Sequence, residues 1–127
     1  MDQTQRFKFE DLRVYQDSLV FITFVFSLTK SWATPYRYTL ADQLQRAALS
    51  IALNIAEGTS RTTKDFAHFL SISRGSCYEC VAILTIARNE KLITGEQYDM
   101  AYETLQKLAR TISSLKRSIT SIRTSSK

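Results

Sequence analysis

Between Tyr98 and Ile122 the apolar residues fall at Tyr98, Ala101, Leu105, Leu108, Ile112, Leu115, Ile119 and Ile122, in alternating steps of three and four. That spacing holds them on one side of a helix for about seven turns. A stripe this long has to be buried, so the chain must supply other elements to cover it. With only three glycines and one proline among 127 residues, turn formers are too few for a many-stranded β fold. The covering elements are therefore helices, and the length suits one domain, 1–127, closing a single core.

Four helices are expected, at about 11–31, 39–57, 63–91 and 95–120, with a frayed tail over 121–127. Short loops between long helices favour an all-α, up-down-up-down antiparallel four-helix bundle. The first helix is expected to face inward through Leu12, Tyr15, Leu19, Ile22 and Phe26, although its β-branched and aromatic middle could also be read as a strand. Pro35 is the first breaker after it. In the second helix Thr39 is read as the N-cap and Gly58 as the closing residue with positive φ. Leu40, Leu44, Ala47, Ala48, Ile51 and Ile55 share its inner face. Thr62 caps the third helix, whose seam runs through Phe66, Leu70, Ser73, Cys77, Cys80, Leu84 and Ala87. Thr94 and Gln97 have the spacing of a capping box at the start of the fourth. Leu108 and Ile112 are placed in the core.

Three helices carry more apolar surface than one seam requires. Val20, Phe21, Phe24 and Val25 on the first, Leu49 and Leu53 on the second, and Ile72, Ile83 and Ile86 on the third form additional sides. These sides either cover the core from its edges or meet another copy of the chain, and the second reading predicts a homo-oligomer.

The residues offer little for catalysis. One histidine, His68, leaves no partner set for nucleophilic catalysis, and no Gly-rich loop cradles a phosphate. Cys77 and Cys80 have redox-motif spacing but sit in mid-helix on the core stripe, where they are small core residues rather than a thiolate pair or half a zinc site. Arg46, Ser50, Asn54 and Glu57 share a side of the second helix; general acid work by Glu57 is conceivable, but holding register is the favoured role. The expectation is a non-enzymatic protein without cofactor or metal. A polar N-terminus and a densest apolar run, Leu19–Leu28, about half the length of a membrane span point to a cytoplasmic protein with no membrane segment.

Charge is the remaining signal. The net charge is +5, and after Glu103 the chain has Lys107, Arg110, Lys116, Arg117, Arg123 and Lys127 but no acid. The antiparallel topology would gather Arg61, Lys64, Lys116, Arg117 and Arg123 at one end, with Arg6, Lys8 and Lys127 nearby. Asp2, Glu10, Asp11, Glu57 and Asp65 share that end and reduce the excess in a single subunit, which a ring of copies would multiply. Such a surface suits nucleic acid, and structured RNA in particular, held through phosphates with low sequence specificity. No aromatic platform for unpaired bases is evident in the sequence. The competing reading is an oligomeric scaffold or adaptor that binds another protein.

Several segments together resemble a known family. Phe9-Glu10-Asp11-Leu12-Arg13-Val14-Tyr15-Gln16 opens the chain, Gln43 to Ile51 is followed by Asn54-Ile55-Ala56-Glu57-Gly58, and the third helix carries Lys64-Asp65-Phe66 and Gly75-Ser76-Cys77-Tyr78-Glu79. These are similar to the bacterial four-helix-bundle proteins encoded within 23S ribosomal RNA intervening sequences and at many unlinked loci, from about Phe7 to Ile119. A more distant likeness is to the accessory variability protein of diversity-generating retroelements. The resemblance implies a cytoplasmic ring, with a pentamer as the expected assembly, and structural roles for Ser50, Asn54, Glu57, Gly58, Gly75 and Ser76. It implies nothing catalytic. Tyr15 stands where the family often has Trp, and Gln45 where a second basic residue is frequent.

Overall fold

The computed structural model describes the backbone of residues 6–125 and the side chains of residues 6–121. The expectations for Asp2, for the side chains of Ile122, Arg123 and Lys127, and for the end of the tail lie outside the described residues. Within them the chain is all-α: helices α1 (Arg13–Thr29), α2 (Asp42–Thr59), α3 (Thr63–Asn89) and α4 (Gly95–Ser125) surround one core, and no strand occurs among the described residues. A 3₁₀ turn, Lys8–Asp11, precedes α1.

Where helix ends depend on neighbours in sequence, the local chemistry forms as read. Thr62 Oγ1 accepts the Asp65 backbone N–H at 3.2 Å to open α3. At α4 the Thr94 hydroxyl accepts from the Gln97 amide at 3.0 Å, and the Gln97 side chain returns the favour to the Thr94 amide at 2.9 Å. This reciprocal pair satisfies two donors that a helix start leaves open. The end of α3 is closed by Lys91, which adopts φ 63°. From there the Lys91 amide bonds to Arg88 O and the Leu92 amide to Ala87 O, both at 2.9 Å, the arrangement in which glycine is the usual residue.

Three expectations are corrected. The start of α2 lies further back: Ala33 is extended, Pro35 stands in the first turn of a helical segment beginning at Thr34, and a π-helical stretch, Arg37–Ala41, leads into Asp42. Pro35 therefore opens this helix, as suits a residue with no N–H to satisfy. Thr39 is no cap, since its hydroxyl donates to Pro35 O at 3.0 Å. Gly58 does not terminate α2 with positive φ either, because it is buried and helical, and α2 continues to Thr59. It is small because α3 lies against it: a Cβ there would come 2.6 Å from Phe66 Cδ1 and 3.0 Å from Phe69 Cβ.

The third correction concerns α1. Its buried stripe is Val14, Ser18, Phe21, Val25 and Leu28, whereas Leu19 is 42% and Phe26 43% exposed. The observed face lies one residue before the expected one, about 100° of rotation. Ser18 can be buried because its hydroxyl donates to Tyr15 O at 2.6 Å, and Thr29 likewise donates to Val25 O at 2.9 Å. Tyr15 and Ile22 sit half-buried at the edge of the core.

In the other helices most of the predicted stripe residues are buried, while Leu40, Phe66, Tyr98, Leu115 and Ile119 are half-buried at the edges of the core. Leu44, Ala48, Ile51 and Ile55 of α2, Leu70, Cys77, Cys80 and Leu84 of α3, and Ala101, Leu105, Leu108 and Ile112 of α4 meet in one cluster. The α3 helix packs on both α2 and α4, and α1 lies against α2 and α4. Ile83, read from sequence as part of a second side, belongs to this core, while Ile72 and Ile86 remain outside. By length and composition α3 could cross a membrane, yet its inner stripe is buried against the neighbouring helices. The α4 helix extends to Ser125 rather than stopping near residue 120.

Candidate nucleic-acid interface

The α2–α3 contact sets the level of everything on the outer side of α3. Asn54 Nδ2 donates to the Ser50 carbonyl and to Ser50 Oγ, each at 2.8 Å, and the Ser76 hydroxyl lies 2.8 Å from the same Oγ. One turn away, Ser73 Oγ donates to Ile51 O at 2.8 Å in the buried seam. Small side chains let the two helices approach, and each hydroxyl finds a hydrogen-bond partner, which offsets the cost of burying it. Ser50, Asn54 and Ser76 thus fasten α2 to α3. Gly75 does not: a Cβ at that position would meet nothing within 4 Å.

The basic residues divide into two groups. Arg61 is held by Glu57, Nη2 to Oε1 2.7 Å, and its guanidinium lies 5.5 Å from the centre of the Phe69 ring. The hydrogen bond and charge of Glu57 raise the Arg61 pKa, so this arginine is firmly charged but locally neutralised. Lys64 is exposed in the first turn of α3, and the Arg123 side chain lies outside the described residues. Neither Arg61 nor Lys64 lines the groove that takes Lys116 and Arg117.

That groove runs between α3 and α4. Two adjoining hollows share Arg74, Ser113 and Arg117; Lys116 lines the first and Arg110 the second. Lys116 Nζ donates to Ser71 Oγ at 2.7 Å, which ties the lysine across the groove. Among the described residues the lining includes these four cations and no carboxylate, and none of the four is in an ion pair. Four positive charges with no acid between them attract anions more strongly than the chain's net charge suggests.

Sequence reasoning placed Lys116 and Arg117 in the site, counted Arg110 in the basic C-terminal run without assigning it there, and passed over Arg74. It also found no aromatic platform, whereas the fold brings Tyr78 and Tyr102 to the same groove, 58% and 40% exposed. Arg74 covers the Tyr78 ring at 4.8 Å and donates to its hydroxyl at 2.9 Å, an i,i+4 pairing that could have flagged both residues. The floor beneath is apolar and includes Cys77. Burial pushes the Cys77 thiol up to about 12 and the Cys80 thiol higher still, so both are protonated core groups at neutral pH.

The sequence model of the 23S rRNA-intervening sequence protein family matches residues 10–114. Among solved structures, the chain is similar to a protein of unknown function from the S23 ribosomal protein family of Bacteroides thetaiotaomicron VPI-5482. The two are 24% identical, with a TM-score of 0.76 over 82% of this chain and 95% of that one, a likeness of fold. No curated protein matches. With the match extending from the turn before α1 well into α4, the chain belongs to the 23S rRNA-intervening sequence protein family.

Proposed function

We propose that this chain is a non-enzymatic, cytoplasmic RNA-binding protein, an up-down-up-down antiparallel bundle that assembles into a homo-oligomeric ring, with five subunits as the expected number. The observation that carries the RNA reading is the α3/α4 groove, with Arg74, Arg110, Lys116 and Arg117 and no carboxylate among its described lining residues. Phosphate oxygens suit such a set, and contacts of this kind give affinity with low sequence specificity. Arg61 and Lys64 extend the basic surface at the α2–α3 loop, Arg61 with its charge shared with Glu57.

The test is fluorescence anisotropy of a structured ribosomal RNA fragment titrated with nuclease-treated protein at low and physiological salt. Lys116→Glu with Arg117→Glu is expected to lower affinity at least tenfold and to flatten the salt dependence, with Arg61→Glu, Lys64→Glu and Arg123→Glu having smaller effects. Equal affinity for the native protein and the Lys116/Arg117 variant would reject this surface. A second reading, an oligomeric scaffold or adaptor for another protein, is favoured by the exposed Leu19, Val20 and Phe26 of α1 and Leu53 of α2. It predicts no RNA binding at either salt.

A further inference from the structure

We infer that the α3/α4 groove binds an unpaired stretch of RNA, with phosphates on its cations and bases on the rings of Tyr78 and Tyr102. This rests on the RNA-binding reading and specifies the form of the ligand. Phosphate attraction alone would require only the cations. The groove also presents two tyrosines, 58% and 40% exposed, on the hollow that Arg74, Arg110 and Arg117 line.

A duplex cannot use those rings, because its bases are already stacked on each other, while an unpaired base offers a free π-face. Width points the same way: neighbouring helix axes lie roughly 8–10 Å apart, so the depression between them admits one strand more readily than two. The apolar floor at Val81, Leu105 and Ala109 provides no partner for a phosphate but suits the face of a base or the carbon side of a ribose.

The rings are also positioned in advance. The Arg74 guanidinium lies on Tyr78 and bonds to its hydroxyl, which fixes that ring beside a positive charge. The Tyr102 ring leans on Tyr98 at 5.8 Å between centroids, and Tyr98 is in turn covered by Arg88 at 4.1 Å. Each tyrosine is thus supported from within its own helix or from α3 before any ligand arrives. Lys116 lies in the first hollow and both tyrosines in the second, with Arg74 and Arg117 lining both, so cations and rings adjoin along the groove.

The full-length protein is titrated into two fluorescent RNAs, an unstructured single-stranded oligonucleotide and a duplex containing the same sequence, with Tyr78→Leu, Tyr102→Leu and Tyr78→Phe compared with the native chain. Tighter binding of the single strand, lost about tenfold with either leucine variant and restored by phenylalanine, is expected. In Tyr78→Trp the added indole is expected to be quenched by the single strand and not by the duplex, since Trp32 is buried and 3% exposed. Equal binding of both RNAs, with the leucine variants unchanged, would overturn base stacking while leaving the basic-surface reading intact. Absence of binding to either RNA at low salt would overturn both. A changed sedimentation mass in the leucine variants would show instead that a second copy of the chain fills the groove.

Discussion

A methyl group placed on Gly58 would lie 2.6 Å from Phe66 Cδ1 and 3.0 Å from Phe69 Cβ, whereas one on Gly75 would meet no neighbouring element within 4 Å. Both glycines are inside helices, where alanine is favoured by about 1 kcal/mol. At Gly58 that gain is outweighed, because the Phe69 backbone-proximal Cβ cannot swing away as the end of a long side chain can. Gly58→Ala is expected to lower unfolding free energy by roughly 1–3 kcal/mol. Gly75→Ala is expected to raise it by about 1 kcal/mol, both read by urea denaturation. A Gly58→Ala protein as stable as the native one would mean that α3 can shift without cost. The motif containing Gly58 was visible in the sequence, but its reason was not: a glycine near a helix end reads as a cap until the helix packed on it is known.

Helix starts and helix faces differed in how legible they were. The caps at Thr62 and Thr94 were readable because both partners lie within four residues and their chemistry is complete locally. The α1 face was not, because two adjacent stripes compete. The stripe through Leu19 and Phe26 is wholly apolar, while the buried one includes Ser18, which only its bond to Tyr15 O makes acceptable. The choice between them is made by α2 and α4, which present their own stripes to α1. Phe21→Ala is therefore expected to cost roughly 3–5 kcal/mol, since Phe21 is 2% exposed. Leu19→Ala, on the side the sequence pattern turns inward, is expected to change the unfolding free energy of the single chain by only about 0.5 kcal/mol. Thermal unfolding of the pair decides the register, and a larger loss from Leu19→Ala would restore the original one.

At the scale of the molecule, the chain has two unlike outer surfaces. The groove between α3 and α4 is cationic, and its charge was hard to read because Arg74 comes from one helix and Arg110, Lys116 and Arg117 from the next. On α1 the outer side carries apolar residues among polar ones: Leu19, Val20 and Phe26 are 42%, 70% and 43% exposed, Leu19 and Phe26 seven apart on one flank, Val20 about 100° around the helix, and Thr23 and Ser27 between them. Exposed apolar residues of this size on a helix are most simply covered by those of a second copy. If α1 forms the subunit contact, a charge in its centre has to be desolvated on assembly, at a cost a modest interface cannot meet. Val20→Glu is then expected to reduce the sedimentation mass from that of the proposed ring toward that of one chain, with helical circular dichroism retained because Val20 makes no part of the core. RNA affinity should fall at the same time, since a ring multiplies weak phosphate contacts and a separated subunit does not. An oligomeric mass that the substitution leaves unchanged would place the contacts elsewhere, with Ile72 and Ile86 on the outer side of α3 as the next candidates, and a native mass of one chain would reject the ring. Loss of RNA binding with the ring intact would instead locate part of the RNA surface on α1.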